Sequence, residues 1–165
     1  MKDTEQVKDW LNRYLEATRE VEAAHERYLL MRAKSQSLSS PTIDGTPHTK
    51  GANVDKIPRA MIRLEKLEKT IKQKEEEVNT IYDEIEDAIS RIKGKGAGEQ
   101  RELLRMRYLD LMKMTEVNEA LFGRNDDFLD RELSYAKRTQ LIHKKALQSL
   151  MELLPDCNKE KENET

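Results

Sequence analysis

Between Leu133 and Met151 the chain carries Lys137, Arg138, Lys144 and Lys145 with His143 among them, and no acidic residue. Lysine and arginine at such spacing neutralise phosphates and release counterions, and a guanidinium, a carboxamide or a phenol can reach the edge of a base. Candidate contacts to a nucleic acid are therefore Tyr135, Lys137, Arg138, Gln140, His143, Lys144 and Lys145. The plainer reading of the same residues is a solvated helix face whose positive charge suits the C-terminal end of the helix dipole. His143 has no Cys, Ser or Asp arrangement around it that would pair a nucleophile with a base, so a packed or phosphate-facing imidazole is expected instead of a catalytic one.

Other chemistry is thinly represented. His25 falls in a helical stretch and His48 in a polar one, neither with a second ligand at metal spacing, so no metal and no cofactor are expected. The runs Glu75, Glu76, Glu77 and Asp126, Asp127 read as solvated charge. KGKGAGE, residues 93 to 99, lacks the spacing and the preceding strand of a phosphate-binding loop. Cys157 is the single cysteine, which excludes an internal disulfide and a cysteine-based zinc cluster. The expectation is a protein that is not an enzyme.

The elements that must position the cationic run are helices. Charged residues make up 38% of the chain and aromatic ones 5%, too little bulky apolar material for a thick core. The apolar residues are mostly Leu, Ile, Met and Ala, which favour helix. Net charge is −2, so any basic surface must be local. No stretch approaches the ~20 apolar residues that span a bilayer. The first ten residues are too polar for a signal peptide, so a cytoplasmic protein with no membrane partner is expected.

From Val7 the apolar positions recur by threes and fours through Trp10, Tyr14, Ala17, Val21, Ala24, Tyr28 and Met31, a heptad seam. Asp3 and Gln6 supply a capping box at its start. A second seam places Ile57, Leu64, Ile71, Val78, Ile85 and Ile92 every seventh residue, with Ala60, Leu67, Lys74, Ile81 and Ala88 between them and Lys74 as the one departure. Pro58 fits a first helical turn after an Asp55 cap. The rod from 57 to 92 would be ~50 Å long. About nine half-buried aliphatic positions are worth on the order of ten kcal/mol, so each seam requires a partner. The partner is either the other seam, folded back through the polar connection 35–56, or a second copy of the chain. An aromatic-rich seam facing an aliphatic one favours the first.

Three glycines in five positions then end the rod. Beyond them, Leu103, Leu104, Tyr108, Leu111 and Met112 outline a short amphipathic helix. A second, capped by Thr115, carries Val117, Ala120 and Leu121 on one face and stops at Gly123. After the polar RNDDFLD comes a last, longest helix, with Leu133, Ala136, Thr139, Leu141, Ile142, Ala146, Leu147, Leu150 and Leu154 available to pack. Three packed helices with the longest last are the plan of a helix-turn-helix.

The pieces LRMRYLD, EVNEALFG and SYAKRTQLIHKKAL resemble the C-terminal part of the RinA/ArpU-like phage regulators of Gram-positive bacteria, which is in turn similar to the fourth region of sigma factors. The family's paired charged helices around a Ser, Gly and Pro-rich stretch resemble the upstream half as well. The chain departs from that pattern at Met114 and Thr115, where a bulky residue is frequent, and at Lys144, where glycine is frequent. The resemblance implies a late-gene activator in the cytoplasm of a bacterial host, with double-stranded DNA and host RNA polymerase as partners.

The expected fold is all-α: a coiled-coil helical hairpin over 1–93 with a mobile connection at 35–56, a Gly-rich hinge at 94–98, a sigma-like helix-turn-helix domain over 99–155 and a disordered polar tail at 156–165. A homodimer through the coiled coil remains open. The competing functional reading, a coiled-coil module that binds or inhibits a protein partner without DNA, rests on the two seams occupying more of the chain than the helix-turn-helix does.

Overall fold

A computed structural model describes residues 4–38 and 56–154, all of them in helices or the turns between helices. The elements are α1 (Thr4–Leu38), α2 (Lys56–Ser90), α3 (Ala97–Leu104), a π-helical turn (Arg105–Leu109), α4 (Met114–Phe122) and α5 (Glu132–Leu153). The fold is all-α, a long antiparallel helix pair followed by shorter helices. The expected caps Asp3 and Asp55, most of the polar connection and the tail with Cys157 lie outside the described residues.

The described chain divides into two compact units. In the one spanning Ala17–Asn79, α1 and α2 run antiparallel with their seams facing each other. Ala17, Val21, Ala24, Tyr28 and Met31 are half-buried on α1, and Leu64, Leu67, Ile71 and Val78 are withdrawn from solvent on α2. The seams thus pair within one chain. Lys74, the departure from the apolar pattern, keeps its stem in the seam while its ammonium donates to Glu20 Oε2 at 2.5 Å. Tyr28 donates to Glu68 at 2.5 Å, and His25 Nε2 lies 2.9 Å from Glu75. Helix α1 continues past Ser35, where a connection is expected, and the Ser35 and Ser37 hydroxyls donate to the carbonyls of Arg32 and Lys34, each at 2.8 Å.

The other unit joins residues up to Glu16 with those from Thr80 onward. Its main core collects Leu11 of α1, Ile85 and Ile89 of α2, Ile92, Leu104, and Ala146, Leu147 and Leu150 of α5, all buried. Beside it Tyr14 meets Tyr82 edge to face at 5.6 Å, and Arg13 pairs with Glu84 at 3.0 Å. The glycine-rich segment expected to act as a hinge lies inside this unit. Ile92 before it and Ala97 within it belong to one buried cluster, so 94–98 is a corner anchored in this unit's core, with its glycines on the outside. Its glycines serve the backbone: Gly94 and Gly96 take φ of 109° and 79°, which side chains rarely adopt. Arg101 closes the corner by donating to the Ile92 carbonyl at 3.0 Å.

Arg105, in the π-turn, grips Glu86 of α2 through Nε and Nη2, with a shortest contact of 2.6 Å. The paired guanidinium holds the Glu86 carboxyl below its ordinary value. A second cluster of Leu103, Val117, Phe122 and Ile142 binds α3, α4 and α5 together, with Met106, Met112, Phe128 and Tyr135 packed around it.

Candidate nucleic-acid interface

Helix α4 starts at Met114, one residue before the expected Thr115 cap. The extended Lys113 is the cap residue, and its backbone N–H donates to Glu116 Oε2 at 2.6 Å. Leu111, expected to pack, is exposed; it takes φ of 56° at the turn that ends the preceding helix. On α4 the inward face is Val117, Asn118 and Phe122, with Leu121 half-buried and Ala120 outside.

One buried polar contact joins α4 to α5. Thr139, 1% exposed, donates its hydroxyl to Asn118 Oδ1 at 2.7 Å, with the Tyr135 carbonyl as a second acceptor at 3.0 Å. The side chains turned inward from α5 are Thr139, Ile142, Ala146, Leu147 and Leu150. At 100° per residue, Leu133 and Leu141 stand 200° from Tyr135 and Thr139 respectively, so they point away from that core. They are 81% and 60% exposed, which corrects the expectation that they pack.

The seven candidate contacts separate by the same geometry. Lys137, Gln140, Lys144 and Lys145 are exposed, and the three lysines make no ion pair among the described residues. Arg138 is exposed too, but its guanidinium lies 3.3 Å from Glu99 and 4.9 Å from the centre of the Phe122 ring. Tyr135 and His143 are drawn into packing. Tyr135 stacks on Phe122 at 5.1 Å and donates to Asp127 at 2.7 Å, and that bond to a carboxylate raises its pKa. His143 stacks against Tyr108 and shares a 2.9 Å hydrogen bond with its hydroxyl. Burial pushes the Tyr108 phenol up to about 12. Burial, reinforced by Lys8 and Arg107, lowers the His143 pKa. With that imidazole neutral, its tautomer sets the direction of the bond: Nε2 accepts from the phenol when the proton sits on Nδ1 and donates to it when the proton sits on Nε2.

The outward strip of α5 thus alternates cations and apolar side chains. Leu129, 86% exposed in the connection before α5, extends the apolar part. The acidic Asp126, Asp130 and Glu132 are exposed at the head of α5, while 137–145 has no acid of its own. The signal for the exposed leucines was present in the sequence as their 200° offset from the inner stripe. No cluster of metal-ligating side chains occurs among the described residues, and no described helix is long and apolar enough to cross a membrane. Comparison with protein-family models, with curated proteins and with solved structures finds no match to this chain.

Proposed function

We propose that the protein is a DNA-binding transcriptional regulator of phage or prophage origin that lays the outer face of α5 in the major groove. One observation carries this reading: Lys137, Lys144 and Lys145 are exposed, with no ion pair among the described residues, on a helix locked by its opposite face onto α4. In a helix-turn-helix the second of two packed helices presents such a face to the groove. The acids at the head of α5 repel phosphate, so backbone contacts concentrate at 137–145, where the three lysines neutralise phosphates. Gln140 is the exposed carboxamide for a base edge, and Leu133 and Leu141 suit thymine methyls. Tyr135 and His143 shape the helix's seat and do not touch DNA. The resemblance to RinA/ArpU-like regulators and to the fourth sigma region supports the same assignment, and extends it to activation through RNA polymerase in the bacterial cytoplasm.

The experiment is retention of sheared source-genome DNA by the purified protein at about 150 mM salt, where nonspecific phosphate binding is weak, followed by sequencing. Enrichment of one or a few intergenic sites is expected. Recovery indistinguishable from input refutes stand-alone sequence-specific binding.

A further inference from the structure

Charge is distributed unevenly within the unit Ala17–Asn79. Residues 27–37 of α1 and 57–72 of α2 hold eight Lys and Arg against two Glu, a net of +6 in a chain whose net charge is −2. Residues 17–26 and 73–79 of the same unit hold two Lys and Arg against six Glu. A groove of about 460 Å³ opens at the basic end between the helices, floored by Met31 and Leu67 and edged by Arg27, Arg63, Lys66 and Thr70. Arg27, Arg63 and Lys66 make no ion pair among the described residues. The Thr70 hydroxyl is turned to its own helix, donating to the Lys66 carbonyl at 3.0 Å. Around the groove the same end exposes Leu29, Leu30, Met61 and Ile62, each between 52% and 65%.

We infer that this end of the hairpin docks an acidic protein segment that also carries apolar side chains. Its carboxylates would pair with Arg27, Arg63 and Lys66, and an apolar side chain would enter over Met31 and Leu67. Exposed cations that make no ion pair among the described residues give charge complementarity at little desolvation cost, steering an acidic partner and fixing its register. The apolar floor and the four exposed aliphatic side chains decide the class of partner. A phosphodiester backbone gains nothing from them, and an anionic bilayer would meet the exposed aliphatic side chains but leave the half-buried Met31 and Leu67 between the helices untouched. A second copy of this chain offers acid at 17–26 and 73–79 without exposed large apolar side chains, and acid with them at 126–133, where Leu129 and Leu133 stand beside Asp126, Asp130 and Glu132. A dimer in sedimentation that the charge reversals dissociate would assign the occupant to that segment and overturn a separate partner. Only a partner with both kinds of group matches both features.

The test uses the full chain and two fluorescein-labelled helical peptides of equal acidic charge, one with leucines between the carboxylates and one with serines in their place. The leucine peptide is expected to bind, and the serine peptide to bind about tenfold or more weakly. Arg63→Glu with Lys66→Glu should weaken the leucine peptide by about tenfold or more, and Leu30→Ser should weaken it with the charges intact. These side chains are exposed and make no ion pair among the described residues, so unfolding midpoints should match the parent. Absence of leucine-peptide binding, equal binding of the two peptides, or an affinity unchanged in both variants overturns the inference. So does a mixed-sequence DNA duplex or a phosphatidylserine vesicle that binds this end, is released by the charge reversals and outcompetes the peptide. The α5 lysines are untouched in every variant, so failure here leaves the DNA reading standing, and the reverse holds.

Discussion

Replacing Lys137, Lys144 and Lys145 together by Ala should weaken DNA binding and flatten its dependence on salt, by amounts that follow from counterion release. Each neutralised phosphate contributes about −0.9 to the slope of log K against log salt. All three lysines are exposed, with no ion pair among the described residues, so each can neutralise one phosphate. The slope should therefore become shallower by about 2.7, and at 0.15 M salt each lost contact costs about fivefold in affinity, or ~150-fold together. The assay is fluorescence anisotropy of a labelled duplex carrying the enriched site, titrated at KCl concentrations between about 50 and 200 mM. Alanine is the better helix former, and the lysines are exposed with no ion pair among the described residues, so the urea midpoint should not fall. A triple variant with the parent's slope and affinity refutes the assignment of α5 to the DNA surface, whatever the protein otherwise binds.

Glu99→Gln frees Arg138 from its ion pair without touching α5, and should steepen the salt slope by up to ~0.9 if the released guanidinium finds a phosphate; an unchanged slope places Arg138 off the backbone. Thr139→Val keeps shape but strips the hydroxyl from the buried Asn118 carbonyl, and urea denaturation should show a loss of ~1–3 kcal/mol. Thr139→Val combined with Asn118→Leu removes both partners and should recover most of that loss; a double variant no better than the single one shows that packing, not the unpaired oxygen, set the cost. His143 has a folded pKa below its unfolded value near 6.5, so its neutral form is compatible with the fold at full stability above that pH, and stability falls as pH drops below it. His143→Gln should abolish that decline in urea midpoints measured from pH 7.5 to 5, and a decline of equal size in the variant rules out His143 as its source.

The heptad seams were legible, apart from Ile57 at the head of the second, which is 41% exposed, because each records a single demand, one stripe facing one partner. Every position of the first seam from Val7 to Met31 is buried or half-buried, and even Lys74 obeys by laying its stem along the seam. Less legible were positions answering to two neighbours at once. The glycines at 94–98 resemble a hinge in a linear reading, because sequence shows the φ freedom but not the core that Ile92 and Ala97 enter. Leu133 and Leu141 read as core because leucine usually is, although their 200° offsets from Tyr135 and Thr139 place them outside. Tyr135 and His143 looked like contacts because their polar ends suit bases; their rings are claimed by Phe122 and Tyr108, which are 13 and 35 residues away in sequence. Aromatic side chains with a polar tip serve either role, and only the packing decides.

The same helix thus carries two incompatible requirements, and its rotation reconciles them. Tyr135, Thr139, Ile142, Ala146 and Leu150 must face α3 and α4, while Lys137, Gln140, Leu141 and Lys144 must not. A half-turn of α5 about its axis would bury three amines and expose Ile142, a change that apolar burial alone resists but does not set to within one residue. The Thr139–Asn118 hydrogen bond is directional, and a 100° slip would part the two groups and leave a carboxamide unsatisfied in the core. The ring contacts of Tyr135 and His143, one near the start of α5 and one near its middle, pin the same rotation at two further levels. Tyr135 and His143 therefore act one layer beneath the outer face of α5, fixing which side chains that face presents.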